Sequence, residues 1–391
     1  MNKKLLALAV AGAFVAPAAM AQSNVTIGGY MNFSLDSLKG ANAAGNDLTT
    51  KTNVSSNSSN IYFRGTEDLG NGLSAFWQIQ TYFSAGGTGN ADATFGATKD
   101  GVSSGNTYVG LEGKSWGKVL LGKHESPFKL LSRKVDLFNN QLGDSRNLVA
   151  MPSGGGAMTV NSGGWDLRPN NVVAYGTPNF SGFSALIAYV TNVTSGAALD
   201  SPSGVPNDAA VDAWSANATY ENGPIYVGLG YERHNRSKRS TAAANDENDE
   251  KAWRLAAGYN FGDFKVVGLY QRESDLDAGA GNRSAKRTTW GLGGAYKLGA
   301  NTIKLQYYKA GDIKNTNIAN ADQTGANLWA LGVDHALSKR TTVYAVYART
   351  NNERLANYSA FGGGHGDNPG TVTPPDSKDP SGFSLGVIHS F

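Results

Sequence analysis

Residues 24–35 read Asn24-Val25-Thr26-Ile27-Gly28-Gly29-Tyr30-Met31-Asn32-Phe33-Ser34-Leu35. Val25, Ile27, Met31, Phe33 and Leu35 fall on one parity, and Thr26, Tyr30, Asn32 and Ser34 on the other. Successive side chains of a strand point to opposite faces, so this alternation predicts a strand with one apolar and one polar face. The period returns down the chain. Ile61 and Phe63 oppose Tyr62 and Arg64, and Trp77 and Ile79 oppose Gln78 and Gln80. Trp253, Leu255, Ala257 and Tyr259 oppose Arg254, Ala256 and Gly258, and Ile303, Leu305 and Tyr307 oppose Lys304, Gln306 and Tyr308. In 182–191, 263–273 and 340–350 the parity is ambiguous, and the facing of those strands stays open.

Sixteen such segments are expected, at 24–35, 57–67, 73–84, 104–113, 117–124, 169–176, 182–191, 212–221, 224–234, 250–260, 263–273, 287–297, 301–310, 327–336, 340–350 and 381–391. Their connections alternate between short turns, such as Asn222–Gly223 and Phe261–Gly262, and long segments. The long ones are 36–56, 85–103, 125–168, 192–211, 235–249, 274–286, 311–326 and 351–380. An all-β, 16-stranded antiparallel transmembrane barrel predicts that ordering, with short periplasmic turns and long external loops. A soluble β-sandwich also alternates, but hides its apolar face against a second sheet. Aromatic residues near strand ends (Tyr220, Tyr231, Tyr259, Phe261, Tyr296) and charged residues on the opposite face favour the barrel.

Composition agrees. The 391 residues include 50 Gly, 17 Tyr, 15 Phe and 7 Trp, with no Cys and only 17% charged residues. Zero cysteine excludes disulfides, thiolate metal sites and cysteine nucleophiles. Formal net charge is +3. Without Lys3 and Lys4 it falls to +1, which gives no electrostatic case for a nucleic-acid partner. Those two lysines precede an apolar stretch, Leu5 to Val15, and a small-x-small site at Ala19-Met20-Ala21. This is the layout of a secretory signal peptide, residues 1–21, cleaved after Ala21. The stretch is too short to span a bilayer, which takes about 20 residues. No linker or composition break divides 22–391, so one domain is expected.

Several blocks together resemble the Gram-negative general-diffusion porins, in particular the betaproteobacterial trimeric branch. They are Arg64-Gly65-Thr66-Glu67-Asp68-Leu69-Gly70-Asn71-Gly72-Leu73, Leu121-Gly122-Lys123, Arg168-Pro169-Asn170-Asn171-Val172-Val173 with Tyr175, Pro178-Asn179-Phe180-Ser181-Gly182-Phe183, and Gly386-Val387-Ile388-His389-Ser390-Phe391. The last strand, ending on Phe391, also resembles the signal read by the barrel-assembly machinery. The resemblance implies a multi-pass barrel in the cell outer membrane. Its neighbours would be outer-membrane lipid and lipopolysaccharide, its assembly a homotrimer, and its cargo small hydrophilic solutes and ions. It also implies a third external loop folded inward to narrow the channel.

The residues support that loop independently. Segment 125–168 is the longest connection, and a structureless loop of that length in a compact domain is usually functional. Phe128 to Phe138 has helical apolar spacing, with Pro127 at a helix start. Tucked into the lumen, it would present Asp136 and Asp144 to the pore, with Arg133 and Arg146 beside them. The basic wall opposite is expected from Arg64, Lys123, Arg254, Arg287 and Lys304, with Arg168 at the loop's exit. All but Lys123 of the strand residues lie on polar parity. Acidic loop and basic wall would set up a transverse field, and the net charge of the ring would set ion preference. Three positions depart from the resembled pattern: Lys123 and Ala174 stand where Arg is usual, and so does Ile388. Two of these remove positive charge, leaving the sign of the selectivity open.

No chemistry for an enzyme emerges, and no cofactor or metal site is expected. Gly101-Val102-Ser103-Ser104-Gly105 mimics a nucleophile elbow but lies in a Gly/Ser-rich loop. Gly113-Lys114-Ser115 mimics a phosphate-loop ending, with Tyr108 at the required first glycine. The five His are far apart. The run Asn245-Asp246-Glu247-Asn248-Asp249-Glu250 reads as a solvated external tip, with divalent-cation binding as the alternative. No stretch of consecutive rings marks a sugar channel. A solute-selective pore on the same barrel, or adhesion through loops 192–211, 235–249 and 351–380, are the other functional readings.

Overall fold

The computed structural model describes residues 24–41, 48–83, 102–150, 164–191, 212–235, 239–241, 244–246, 249–276, 284–316, 319–361 and 378–391. The expected signal segment, the Gly101 end of the elbow mimic, loop 192–211 and parts of loops 235–249 and 351–380 lie outside these. Seventeen ladder segments join into one antiparallel sheet. Two of them are consecutive pieces of a single crossing, so the barrel has sixteen strands. They are β1 (Asn24–Ala41), β2 (Leu48–Ser56 and Asn60–Gly70), β3 (Leu73–Tyr82), β4 (Thr107–Gly113), β5 (Gly117–Lys123), β6 (Val172–Gly176), β7 (Phe183–Val190) and β8 (Asp212–Asn222). The second half comprises β9 (Ile225–Asn235), β10 (Asp249–Phe261), β11 (Phe264–Leu276), β12 (Ala285–Leu298), β13 (Asn301–Ala310), β14 (Ala326–Ala336), β15 (Thr341–Asn352) and β16 (Ser381–Ser390). β1 pairs with β2 on one edge (Ile27↔Phe63) and with β16 on the other (Met31↔His389), which closes the sheet and leaves no edge.

At one end the hairpins are tight. Gly223, Gly262 and Gly299 take φ of +54°, +61° and +59° in three two-residue connections, where a side chain would be strained. The outer face carries aliphatic residues such as Leu229, Leu255, Leu292 and Leu305, all exposed. Ring pairs frame them: Tyr189–Trp214, Trp253–Tyr270, Trp290–Tyr307 and Trp329–Tyr347 toward the long-loop end, and Phe183–Tyr220 and Phe264–Tyr296 toward the tight-turn end. An apolar band between two aromatic girdles is the solution a bilayer requires.

The long-loop end departs from expectation. β1 runs on to Ala41, and Leu48–Ser56 pairs back onto it (Leu35↔Val54), where a loop over 36–56 was expected. This extension is rich in Ser, Thr and Lys and shows no apolar alternation to read. The external acidic run is also divided, because Glu250 is fully buried on the inward face of β10 and is no solvated tip.

The ambiguous strands acquire a facing and a reason for their ambiguity. Phe264, Val266 and Tyr270 point outward, while Val267 and Leu269 point inward and are buried. On β15, Tyr347 points outward and Tyr344, Val346 and Ala348 inward. Both faces are apolar there because the inward one is covered by the 125–168 segment. Leu131, Val135, Phe138, Leu142, Leu148 and Val149 of that segment share one buried cluster with Ala256, Val267, Leu328, Ala330 and Val346 of the wall. The core of this barrel therefore lies inside it, and a second buried cluster of Leu120, Val172, Ala174, Ala188 and Val190 lines the wall of β5 to β7.

Candidate functional site: the narrowed lumen

The segment leaves β5 and forms α1 (Pro127–Val135). Ser126 caps it by accepting from the Lys129 N–H at 3.2 Å, and Pro127 fills the first turn where no donor is needed. The helix descends along β8 and β9. The Phe128 N–H donates to Ser215 Oγ at 3.0 Å, and Lys134 reaches Glu221 at 2.7 Å near the tight-turn end. Glycines make room for it: a Cβ at Gly228 or Gly230 would lie 2.5 or 2.6 Å from Leu131. The helix ends at Asp136, whose Oδ1 takes the Phe138 N–H at 2.9 Å as the chain leaves the helix.

The chain then crosses the interior. The Leu137 N–H donates to Gln306 Oε1 at 3.1 Å, and Gln306 Nε2 donates to the Gly143 carbonyl at 2.8 Å. Asn140 reaches the far side, donating to Tyr30 Oη at 2.9 Å while its carbonyl accepts from Asn32 Nδ2 at 3.1 Å. A short helix, α2 (Arg146–Val149), returns the chain toward Trp165 and Asp166. On the inward face of β2, β3 and β4 the residues Tyr62, Arg64, Phe76, Gln78 and Tyr108 stay exposed or half-buried.

The expected basic residues sort into two groups. Arg254, Arg287 and Lys304 lie on the wall, but beneath the loop, at 0%, 1% and 6% exposure. Each is a loop anchor. Arg254 pairs with Asp166 at 2.5 Å and donates to the Phe128 carbonyl at 2.9 Å. Arg287 pairs with Glu273 at 2.6 Å and donates to the Leu148 carbonyl at 3.1 Å. Lys304 pairs with Asp334 at 2.8 Å, donates to Gln141 Oε1 at 2.8 Å and sits 4.7 Å from the Phe138 ring centroid. Arg168 is likewise held, by Glu125 at 2.8 Å and by Tyr82 Oη at 2.8 Å. Lys123 pairs opposite Thr107 and shares the parity of Val119 and Leu121, which are exposed on the outside, so its strand does not bring it to the pore.

Arg64 stands apart. It is exposed on the inward face, with its guanidinium 5.3 Å from the Tyr62 ring centroid, and among the described residues it makes no ion pair.

The loop carboxylates are placed otherwise than expected. Asp144 is fully buried and Asp136 is 8% exposed, so neither presents its charge to the passage. Asp144 takes both arms of Arg133, at 3.0 and 3.1 Å, and the guanidinium of Arg146 at 2.9 Å. Asp136 accepts from the Ser145 N–H and hydroxyl at 2.9 and 3.0 Å and meets Arg133 at 3.3 Å. Local hydrogen bonds satisfy these carboxylates inside the loop, and the more exposed partner is the Arg133 guanidinium. Burial opposes ionisation of Asp144, yet Arg133 and Arg146 hold its carboxyl well below the usual range. Burial and then the Asp144 charge push Asp136 up to about 6, against Arg133. Glu125 is held well below its usual range by Lys129 and Arg168 despite its burial.

Sequence reasoning missed Asp166, Glu125, Glu273 and Gln271, the partners that pin the loop. It also missed a buried cluster in which His234 stacks on Trp165 at 4.6 Å with Nε2 3.1 Å from Glu232. A run of inward-parity charges on β9 to β12 was the available signal.

Comparison with known proteins bears on this architecture. Residues 7–355 match the family described as Gram-negative porin. Outer membrane porin protein 32 of Delftia acidovorans is 31% identical over 401 aligned residues, covering 100% of both chains. An outer membrane porin protein of Bordetella pertussis is 28% identical, over 88% of this chain and 93% of that protein. The solved anion-selective porin from Comamonas acidovorans superposes with a TM-score of 0.71 at 27% identity, covering 95% of this chain and 100% of that one.

Proposed function

The chain belongs to the Gram-negative porin family and is a passive diffusion channel of the outer membrane, and from that premise we propose that its pore favours small hydrophilic anions. One observation carries the reading: the loop carboxylates are buried and paired, while Arg64 is exposed and Arg133 is the more accessible member of its clasp. A passing ion then meets net positive potential at the constriction, in a narrow wet channel where such a field is focused. The Comamonas porin, described as anion-selective, agrees with this sign. The selectivity residues of this reading are Arg64 and Arg133. Arg146, Asp136 and Asp144 orient Arg133, and Arg254, Arg287, Lys304 and Arg168 hold the loop in place.

The same reading makes the working unit a homotrimer in contact with lipid and lipopolysaccharide, with residues 1–21 removed on export. What supports a protein contact is the outer face itself. Outward ring pairs among the described residues lie on strands from Phe183 to Tyr347. The remaining arc is largely aliphatic, and at its border with β15 lies an apolar depression of about 630 Å³ lined by Phe33, Leu35, Val54, Val343, Leu385 and Val387. Interfacial rings suit lipid, and an arc without paired rings suits a neighbouring subunit. Family members are channels, and no catalytic role is assigned to this one.

The test is single-channel recording of the purified native oligomer in a planar bilayer under a salt gradient. A reversal potential toward the chloride equilibrium value, with closures in thirds of the full conductance, is expected. A potassium-directed potential overturns the anion assignment, and single-step closure overturns the trimer.

A further inference from the structure

Three of the rings on the inward face of β2, β3 and β4 each stand directly opposite a glycine of the adjacent strand. Tyr62 pairs with Gly28, Phe76 with Gly110, and Tyr108 with Gly122. The first two lie down on their glycines: a Cβ at Gly28 would be 2.4 Å from Tyr62 Oη, and one at Gly110 would be 2.5 Å from Phe76 Cζ. A ring laid across a neighbouring strand turns a face, not an edge, toward the lumen. All three are half-buried: Phe76 and Tyr108 back onto the buried cluster of Leu120, Val172 and Ala174, Tyr108 has His124 beside it at 5.3 Å between centroids, and what stays exposed of each ring is on the lumenal side. Phe76 meets Tyr108 edge-on at 6.0 Å between centroids, and Tyr108 Oη donates to Gln78 Oε1 at 3.4 Å.

Arg64 lies among them. It pairs in register with Gln78, which pairs in turn with Tyr108, so Arg64 and Tyr108 sit at one level two strands apart. At a strand spacing of about 4.8 Å their backbones are about 9.6 Å apart. A one-ring carboxylate matches that interval, with its carboxylate on the guanidinium fork and its ring against Tyr108 and Phe76. Guanidinium suits a planar, bidentate anion, and an aromatic wall suits a second ring offset upon it.

We propose that the Tyr62–Arg64–Phe76–Tyr108 wall is a transient binding step for aryl carboxylates, which cross this pore by way of it. This deepens the anion reading and rests on it. A purely structural role for the rings, covering bare glycines to stiffen the sheet, predicts no preference among anions of equal charge and bulk.

The experiment records the native trimer in a planar bilayer with chloride as the carrier and adds benzoate or cyclohexanecarboxylate. The two share the carboxylate and nearly the same bulk, and only benzoate has a π face. Benzoate is expected to interrupt the chloride current with residence times roughly fivefold longer than cyclohexanecarboxylate, the factor that about 1 kcal/mol of ring–ring contact gives. Tyr108→Leu is expected to bring the ratio to one, and Arg64→Gln to shorten both residence times. Equal residence in the native channel overturns the proposal even if Tyr108→Leu fails to assemble, and so does a ratio that survives in Tyr108→Leu. A chloride-favouring reversal potential with equal residence sinks this inference alone, whereas a potassium-favouring one sinks the anion reading beneath it.

Discussion

Arg133 gives both arms of its guanidinium to the buried carboxylate of Asp144, at 3.0 and 3.1 Å. The fork closes a loop of backbone eleven residues apart in sequence into one rigid unit, with Arg146 on the other side of the same carboxylate at 2.9 Å. Planar bidentate pairing fixes direction as well as distance, so the clasp decides which atoms of the loop the pore meets.

Asp144→Asn leaves two guanidinium groups beside an uncharged amide in a site closed to water. Removing one member of a buried ion pair costs about 3–5 kcal/mol. The loop is expected to loosen, seen as a lower melting temperature of the refolded protein and as noisier, larger single-channel currents. An unchanged current would mean that the clasp does not shape the passage.

Asp136, with its carboxyl pushed up to about 6, makes the pore sensitive to mild acid. From pH 7 to pH 5 it gains a proton, and the Arg133–Arg146–Asp144–Asp136 group gains one positive charge. The chloride-to-potassium permeability ratio is expected to rise about twofold, as a unit charge about 10 Å away in water contributes about 0.4 kcal/mol. Asp136→Asn should hold the ratio at its acidic value throughout. Stability moves in the same direction. Between the ordinary carboxyl pKa and about 6 the unfolded chain binds fewer protons at this group than the folded one, so its contribution falls as pH rises through that window.

Arg64→Gln removes an exposed pore-facing cation that makes no ion pair among the described residues. A fall of about twofold in the same permeability ratio is expected, on the same Coulomb arithmetic, with no loss of thermal stability. A drop in stability without a change in reversal potential would recast Arg64 as a packing residue against Tyr62.

Arg254→Met tests the anchors. It strands the buried Asp166 carboxylate and frees the exit of the loop from the wall. About 3–5 kcal/mol should be lost, and Arg254→Met with Asp166→Asn should recover part of it, since a well-packed neutral pair is often no worse than a buried ionic one. Melting temperatures of the four proteins in the cycle give the coupling directly.

What could be read from the chain alone was whatever repeats with a local period. The alternation at Val25–Leu35, the tight turns at Asn222–Gly223 and Phe261–Gly262, and the helical spacing after Pro127 depend on neighbours two to four residues away, and each has its counterpart in the barrel. The parity of Arg64, Arg254, Arg287 and Lys304 was legible for the same reason, and all four do face inward. Which of them meets water is another matter. It depends on where the 125–168 segment lies down, and that follows from glycines on β9 and carbonyls on the loop that are far apart in sequence. Burial beneath the loop turned three expected pore cations into anchors and turned Asp136 and Asp144 away from the channel. Strand period is a local property of the backbone and so is written in sequence. Charge exposure is set by long-range packing, and only the closed barrel with its loop inside decided it.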